Sequence, residues 1–301
     1  MDDVDRKEVA TVLEALGDVA DLAGLSRRAI AAYRQARDWA RGEPILLASL
    51  MNKEAALHQR VGELTTALRI VAYARRLAAG PSPEASSVRS RLSARRSFVH
   101  YLRSRHDEAL RWSAIALEEA QRGVDASALA YAYNLRELTL SAAGQVSEEK
   151  YGELALASYE LSGDLMMQAK CLNNLGIRAF QEGAWPLAAE RYAEAARRSQ
   201  RVGDTANEAN CIYNLAELRV RQRRFDEAEP LLAEAHQLAR VADDVEGLAL
   251  IALETGKMRV GQGRAGAARL SFEAAREGFT KAGLDHELLD VGAGLAECCA
   301  L

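Results

Sequence analysis

The sequence predicts an all-α protein made of stacked helix pairs, and three observations predict it. First, a period of forty runs through much of the chain. Arg122-Gly123-Val124, Ser162-Gly163-Asp164, Val202-Gly203-Asp204, Ala242-Asp243-Asp244 and Ala282-Gly283-Leu284 recur at that spacing, as do Asn134-Leu135, Asn174-Leu175 and Asn214-Leu215. Such self-similarity marks an array of like supersecondary units. Second, apolar and small residues inside each period recur at helical intervals. Third, five prolines and 6% aromatic residues leave little to break helices or favour strands. Hydrophobic residues at 49% of 301 place the chain among globular proteins with ample core.

Residues 169–202 show the unit most clearly. Leu172, Leu175, Gly176 and Phe180 lie on one face of a first helix, and Glu182-Gly183-Ala184 is a turn. Pro186 then opens a second helix, where its missing N–H costs little. That helix carries Ala188, Tyr192 and Ala195 and ends near Gly203, a residue suited to a left-handed C-terminus. The spacing repeats in Leu16, Gly17, Ala29, Tyr33 and Ala36, in Leu215, Ala216, Ala228, Leu232 and Ala235, and in Thr255, Gly256, Ala268, Phe272 and Ala275. Small residues let two helices approach, and the large residue four positions on fills the groove. Asp226 with Glu229 reads as a helix N-cap with a capping-box partner.

Seven pairs are expected, at about 10–42, 48–79, 88–123, 128–162, 168–202, 208–242 and 248–282, followed by a capping helix over 285–300. The pattern thins in the middle. The second pair keeps Gly62, Ala67, Val71 and Ala74. The third keeps Ala109 and Ala116, one residue short of register. The fourth has Glu148 and Gly152 in place of the small and large residues. Gly80-Pro81-Ser82-Pro83 is the one proline-rich break.

The paired Leu-Gly, then Ala, Tyr or Phe, and Ala resemble the tetratricopeptide repeat (TPR) superfamily, whose unit of about 34 residues is shorter than this one. The resemblance implies a right-handed α-solenoid of about seven TPR helix pairs plus a C-terminal capping helix. It implies one superhelical domain over 1–301: repeats 1–2 in 10–79, a linker or hinge at 80–87, repeats 3–7 in 88–282 and the cap at 285–300. Segments such as NLAELRVRQRRFDEAEPLLAEA and GLDHELLDVGAGLAECCAL also resemble the C-terminal TPR region of actinobacterial multidomain regulators, in which a class III adenylate/guanylate cyclase or a transcription-factor output domain precedes an AAA-type ATPase. The activity of those other domains does not carry over; the resemblance implies a sensory or assembly role.

First helices of such pairs line a concave surface. The inward stripe is expected to carry Lys53 and Arg60, Arg91 and Arg95, Asn134 and Glu137, Lys170, Asn174, Ile177 and Gln181, then Asn210, Asn214, Glu217 and Arg221, and finally Glu254 and Lys257. Asn134, Asn174 and Asn214 form a ladder of amides, each able to donate to and accept from a peptide backbone. In TPR proteins that bind extended peptides, asparagines of the inner helices play that part; the other reading is that these amides bond neighbouring helices. Arg91 and Arg95, one turn apart beside Lys53, suit an anion such as an acidic side chain or a peptide C-terminus; the other reading is a solvated convex face. Arg96, Arg103 and Arg105 are assigned to a solvated outer face. Tyr133 and Tyr213 either clamp an apolar ligand side chain or fill gaps between helices.

The expected function is therefore a non-catalytic peptide- or protein-binding module, taking an extended or acidic peptide in the groove. A receptor for a small signalling peptide is an alternative, although such receptors place an output domain ahead of a repeat array that here begins by about residue 10. A helical enzyme with Glu137, Glu217 and Arg221 in a groove site is another. No motif carries catalysis or a cofactor: His58, His100, His106, His236 and His286 fall in different units without metal-ligand spacing. A net charge of -4 and the lack of a recognition motif argue against nucleic acid. There is no apolar run to span a membrane, and the start Met1-Asp2-Asp3-Val4-Asp5 is no secretory signal. Cys171, Cys211, Cys298 and Cys299 form no disulfide framework, so a cytoplasmic setting is expected. Solenoid edges of this kind also allow a homodimer.

Overall fold

Aspartate and serine caps set where the first helix of most pairs begins. In a computed structural model, which describes residues 5–22, 25–145, 147, 149–284 and 287–300, Ser82, Asp125, Asp164, Asp204 and Asp244 each accept the backbone N–H three residues on. These caps start α5 (Pro83–Leu102), α7 (Ala126–Ala142), α9 (Leu165–Gln181), α11 (Thr205–Arg221) and α13 (Val245–Gly261). Three of the caps fall on the forty-residue period. They place these helices two to five residues earlier than the apolar pattern alone suggests.

Second helices begin differently. α4 (Leu64–Leu77), α6 (His106–Arg122), α10 (Trp185–Val202), α12 (Phe225–Val241) and α14 (Ala265–Ala282) have no side-chain cap. The tight turn before them does the work instead. Ala184 N–H reaches back to Ala179 O at 2.8 Å, Arg224 to Arg219 at 2.9 Å and Arg264 to Arg259 at 2.8 Å, each across a left-handed residue. This is the backbone closure that satisfies the carbonyls at a helix end. Asp226 is therefore inside the first turn of α12 and is not its cap; Arg224 holds that position and bonds Glu227.

The remaining helices are α1 (Arg6–Leu22), α2 (Ser26–Trp39), α3 (Pro44–Arg60), α8 (Tyr151–Ser162) and α15 (Leu288–Ala300). Consecutive helices pack as pairs in α1–α2, α3–α4, α5–α6, α9–α10, α11–α12 and α13–α14, α8 meets α7 through Tyr151 and Gly152, and α15 lies on α14, an all-α solenoid architecture without a strand among the described residues. Met1–Val4, Glu148 and His286 lie outside the described residues, as does the first part of the expected cap.

The small-to-large rule of the sequence holds in space. A Cβ on Gly176 would lie 2.6 Å from the Tyr192 ring, and Gly17 meets Tyr33 and Gly256 meets Phe272 in the same way. In the third pair serine takes over the small role: Ser90 donates to Ala116 O at 2.8 Å and Ser97 to Ala109 O at 2.7 Å. In the fourth, the longer loop after α7 moves the pattern along the chain, so buried Ala155 and Tyr159 stand in the roles assigned to Glu148 and Gly152.

By packing, the chain divides into two compact units, 1–158 and 159–301, each with its own apolar clusters. The 80–87 segment is mostly helix, since α5 begins at Pro83. Arg89 ties the short bend down by donating to Ala78 O at 2.7 Å and Gly80 O at 2.6 Å. Within each unit the first helices also pack on one another, α3 with α5 and α5 with α7 in one, α9 with α11 and α11 with α13 in the other. Contact among first helices turns their shared face to the inside of a stack.

Candidate peptide-binding site

In the second unit, α9, α11 and α13 bring polar side chains to the rim of a cleft of about 340 Å³. Lys170 comes from α9, Asn207, Asn210 and Tyr213 from α11, and Leu250 and Ile251 from α13. The caps Asp204 and Asp244 close one end. Asp204 is 3.7 Å from Lys170, and Asp244 is held by Gly247 N–H at 2.9 Å. Tyr213 packs partly on the core cluster of α11–α13 and turns its remaining surface to the cleft. Burial, with Glu217 and Glu254 nearby, pushes its phenol well above the ordinary value, so it is a neutral donor. The cleft thus combines an amide, a phenol, an ammonium and an apolar floor, groups that can hold a peptide backbone and one apolar side chain.

The three ladder asparagines have unequal settings. Asn134, in the first unit, is only 6% exposed. Asn174 is half-buried in α9. Asn214 donates to Asn173 Oδ1 at 2.8 Å, so this amide bonds the neighbouring first helix. Asn210, one turn earlier on α11, is the exposed amide at the cleft. Beyond them, Glu217 accepts two bonds from Arg221, at 3.1 and 3.0 Å, and that guanidinium covers the Phe180 ring at 5.1 Å. Gln181 is exposed at the end of α9, and Ile177 packs on the local core. Glu254 is buried, with Lys257 Nζ at 3.2 Å.

In the first unit most of the expected groove cations are taken up by the chain itself. Lys53 Nζ lies 2.7 Å from both Glu14 and Asp18 and is held above its ordinary pKa by these bonds in spite of burial. Arg91 binds Asp125, the cap of α7, and Arg60 binds Asp21 at 2.6 Å. Arg95 is different. Its neighbour is the neutral Gln59 Oε1 at 3.1 Å, its Nε is buried without an acceptor, and burial lowers its pKa. Glu137 is buried and accepts Gly152 N–H at 3.1 Å, which anchors the start of α8, and Tyr133 stacks on Tyr151 at 6.0 Å. Glu137 is thus engaged in the first unit and the Glu217–Arg221 pair in the second. Arg96 is half-buried against Trp112, not a solvated outer-face residue.

Among the described residues no group of three or more His, Cys, Asp or Glu could hold a metal ion, and no helix is long and apolar enough to cross a membrane. Cys171 and Cys211 are buried thiols; burial pushes Cys211 up to about 12, which leaves it unreactive. Cys299 is exposed at the chain's end.

No family model and no curated protein sequence matches the chain. Solved structures do. A tetratricopeptide repeat protein from Parabacteroides merdae matches with a TM-score of 0.56 at 15% identity, over 97% of this chain and 99% of that one. A signal transduction ATPase with numerous domains and a tetratricopeptide repeat sensor, from Pyrococcus horikoshii, matches with a TM-score of 0.62 at 14% identity, over 92% of this chain and 43% of that one. A Rap protein solved in complex with competence and sporulation factor matches with a TM-score of 0.59 at 11% identity, over 97% and 99%. At these identities the likeness is one of fold: the chain shares the all-α solenoid fold of these structures.

Proposed function

We propose that the chain is a non-catalytic peptide- or protein-binding module whose second unit takes an extended segment along α9, α11 and α13. One observation carries the reading: the cleft in which Lys170, Asn210 and Tyr213, from two successive first helices, converge over Leu250 and Ile251 of a third. A ligand crossing three helices would meet one amide or phenol per turn, which suits a backbone more than a compact metabolite. The Rap protein solved with competence and sporulation factor, and the ATPase whose repeats are described as a sensor, support a regulatory setting of the kind found in bacterial signalling or transcription regulators. The carboxylates of Asp204, Asp244 and Glu246 at this cleft favour a neutral or basic segment there.

A second reading, an acidic group on the first unit, is favoured by Arg95 alone, since Arg91 and Lys53 already hold carboxylates. The test is selection of binders from a random peptide library on the full chain, followed by titration of the selected peptide. Asn210→Ala and Tyr213→Phe should each weaken binding about five- to tenfold with an unchanged melting temperature, and Asn174→Ala should weaken it with stability within about 1 kcal/mol. Loss on Arg95→Gln with no loss on Asn210→Ala would move the site to the first unit. Equal binding by all four variants would end the groove proposal.

A further inference from the structure

The first unit carries another cationic surface, where α5 is flanked by α4 and α6. Trp112 of α6 presents its ring to two guanidinium groups, Arg75 at 5.2 Å and Arg96 at 4.1 Å from the centroid. Arg75 is neutralised by a two-pronged bond to Glu119, at 2.8 and 2.9 Å. Arg96 meets no carboxylate among the described residues. Its Nε is buried without an acceptor, and burial and Arg75 together lower its pKa. A guanidinium held over an indole can still offer N–H groups to an oxyanion.

One turn further along α5, His100 is 7% exposed, and neither ring nitrogen has a hydrogen-bond partner. Buried imidazole nitrogens are rarely left so, because the lost hydration is not recovered. Burial and the charges of Arg96, Arg105 and Arg103 lower its pKa, with Glu108 opposing them. Arg103 also reaches across to Thr65 of α4 at 2.7 Å. Three arginines against one glutamate make a surplus that matches a dianion better than a carboxylate.

We propose that Arg96, His100 and Trp112 form an anion site for a phosphate monoester or inorganic phosphate. Trp112 holds the Arg96 fork in place, and His100 donates to a further oxygen after a turn of its side chain. A carboxylate would satisfy the fork alone; the additional oxygens of a phosphoryl group are what bring His100 in. This site stands independently of the cleft on α9, α11 and α13.

The test follows the histidine ring signals of the full chain by carbon–proton NMR at constant ionic strength, with the His100 signal assigned by its loss in His100→Gln. Inorganic phosphate, a short phosphoserine peptide and acetate are titrated in turn. The expected result is a saturable movement of the His100 signal and a rise in its apparent pKa with phosphate or phosphopeptide, at least fivefold weaker with acetate. A tighter response to the phosphopeptide identifies a modified side chain as the source; an equal one identifies free phosphate. Arg96→Gln should abolish the movement, and Arg96→Lys, which keeps the charge and the packing stem, should weaken it at least fivefold. A His100 signal that stays still, that answers acetate equally, or that moves undiminished in either Arg96 variant overturns the proposal.

Discussion

Glu54 in the first unit and Glu254 in the second are equally hidden, each 2% exposed, yet their carboxyl groups are driven in opposite directions. Burial raises both. At Glu54 it is overcome by Arg34, at 2.8 Å, and by Arg37, so the net shift is downward. At Glu254 burial prevails over Lys257 and the weaker pull of Arg221, with Glu217 adding repulsion, and the net shift is upward. The same contrast runs through both faces. The first unit neutralises Lys53, Arg60 and Arg91 with its own carboxylates, whereas the second keeps a cleft with amide, phenol and acid groups turned to it. A polar residue on an inner face is a binding group only if the neighbouring helix has not already claimed it.

The largest effect should come from breaking the compensated pair. Glu54→Ala leaves Arg34 and Arg37 facing each other and should cost about 2–3 kcal/mol in denaturant unfolding, below the upper end for buried pairs because Arg34 stays largely solvated. Glu254→Gln removes a carboxylate that burial already disfavours, and should change stability by less than about 1 kcal/mol. If the two substitutions cost the same, the two carboxylates are not held in opposite senses.

Close to this in size is overpacking of the regular unit. Ala188→Leu, at a fully buried contact beside Tyr192, should destabilise the second unit by about 1–3 kcal/mol. Hydrogen exchange should show the loss in α9–α12 and leave α3–α6 as they are.

Acidification separates the units without mutation. Glu54, with its folded pKa below the ordinary 4.5, contributes stability that is present above that value and is lost as pH falls through the folded pKa. Glu254, with its folded pKa above 4.5, costs stability near neutrality, and the cost is relieved as pH falls through the folded pKa. Exchange protection corrected for intrinsic rate should therefore rise around α13 on going from neutral toward pH 4.5, and fall around α3 only below it. The smallest expected effect is a gain: Ser104 holds a left-handed turn at φ 54, where four other pairs use Gly62, Gly144, Gly183 and Gly263 and one uses Arg223, so Ser104→Gly should stabilise by about 0.5–1 kcal/mol in thermal unfolding.

Much of this was legible in the residues. The forty-residue period located the pairs, and Gly176 with Tyr192 or Gly256 with Phe272 showed how each pair closes. What escaped was chemistry that composition patterns do not carry. The serines of α5 look polar, but they pack as small residues whose hydroxyls return bonds to α6 carbonyls. The loop after α7 shifted its pair out of register, so Ala155 and Tyr159 went unrecognised. Asp204 and Asp244 were visible as repeats and not as caps, because a cap is defined by the helix it starts.

The candidate site was legible only as a stripe. Helical periodicity says which residues share a face, so Asn174, Asn210, Asn214 and Glu217 could be named together. It cannot say which of them a neighbouring helix will bond. Asn214 went to Asn173, Arg91 to Asp125 and Lys53 to Asp18, each across a separation of about one repeat, and Arg96 found the indole of Trp112.

By itself, then, the sequence determined the helices, their pairing and the faces they bury, because these follow from local spacing and from small residues meeting large ones along one turn of chain. Only the tertiary structure decided which polar groups stay open to a ligand. Hydrogen bonds and ion pairs between successive repeats depend on distances of a few ångströms, set by how one pair is seated on the next, and no periodicity encodes them.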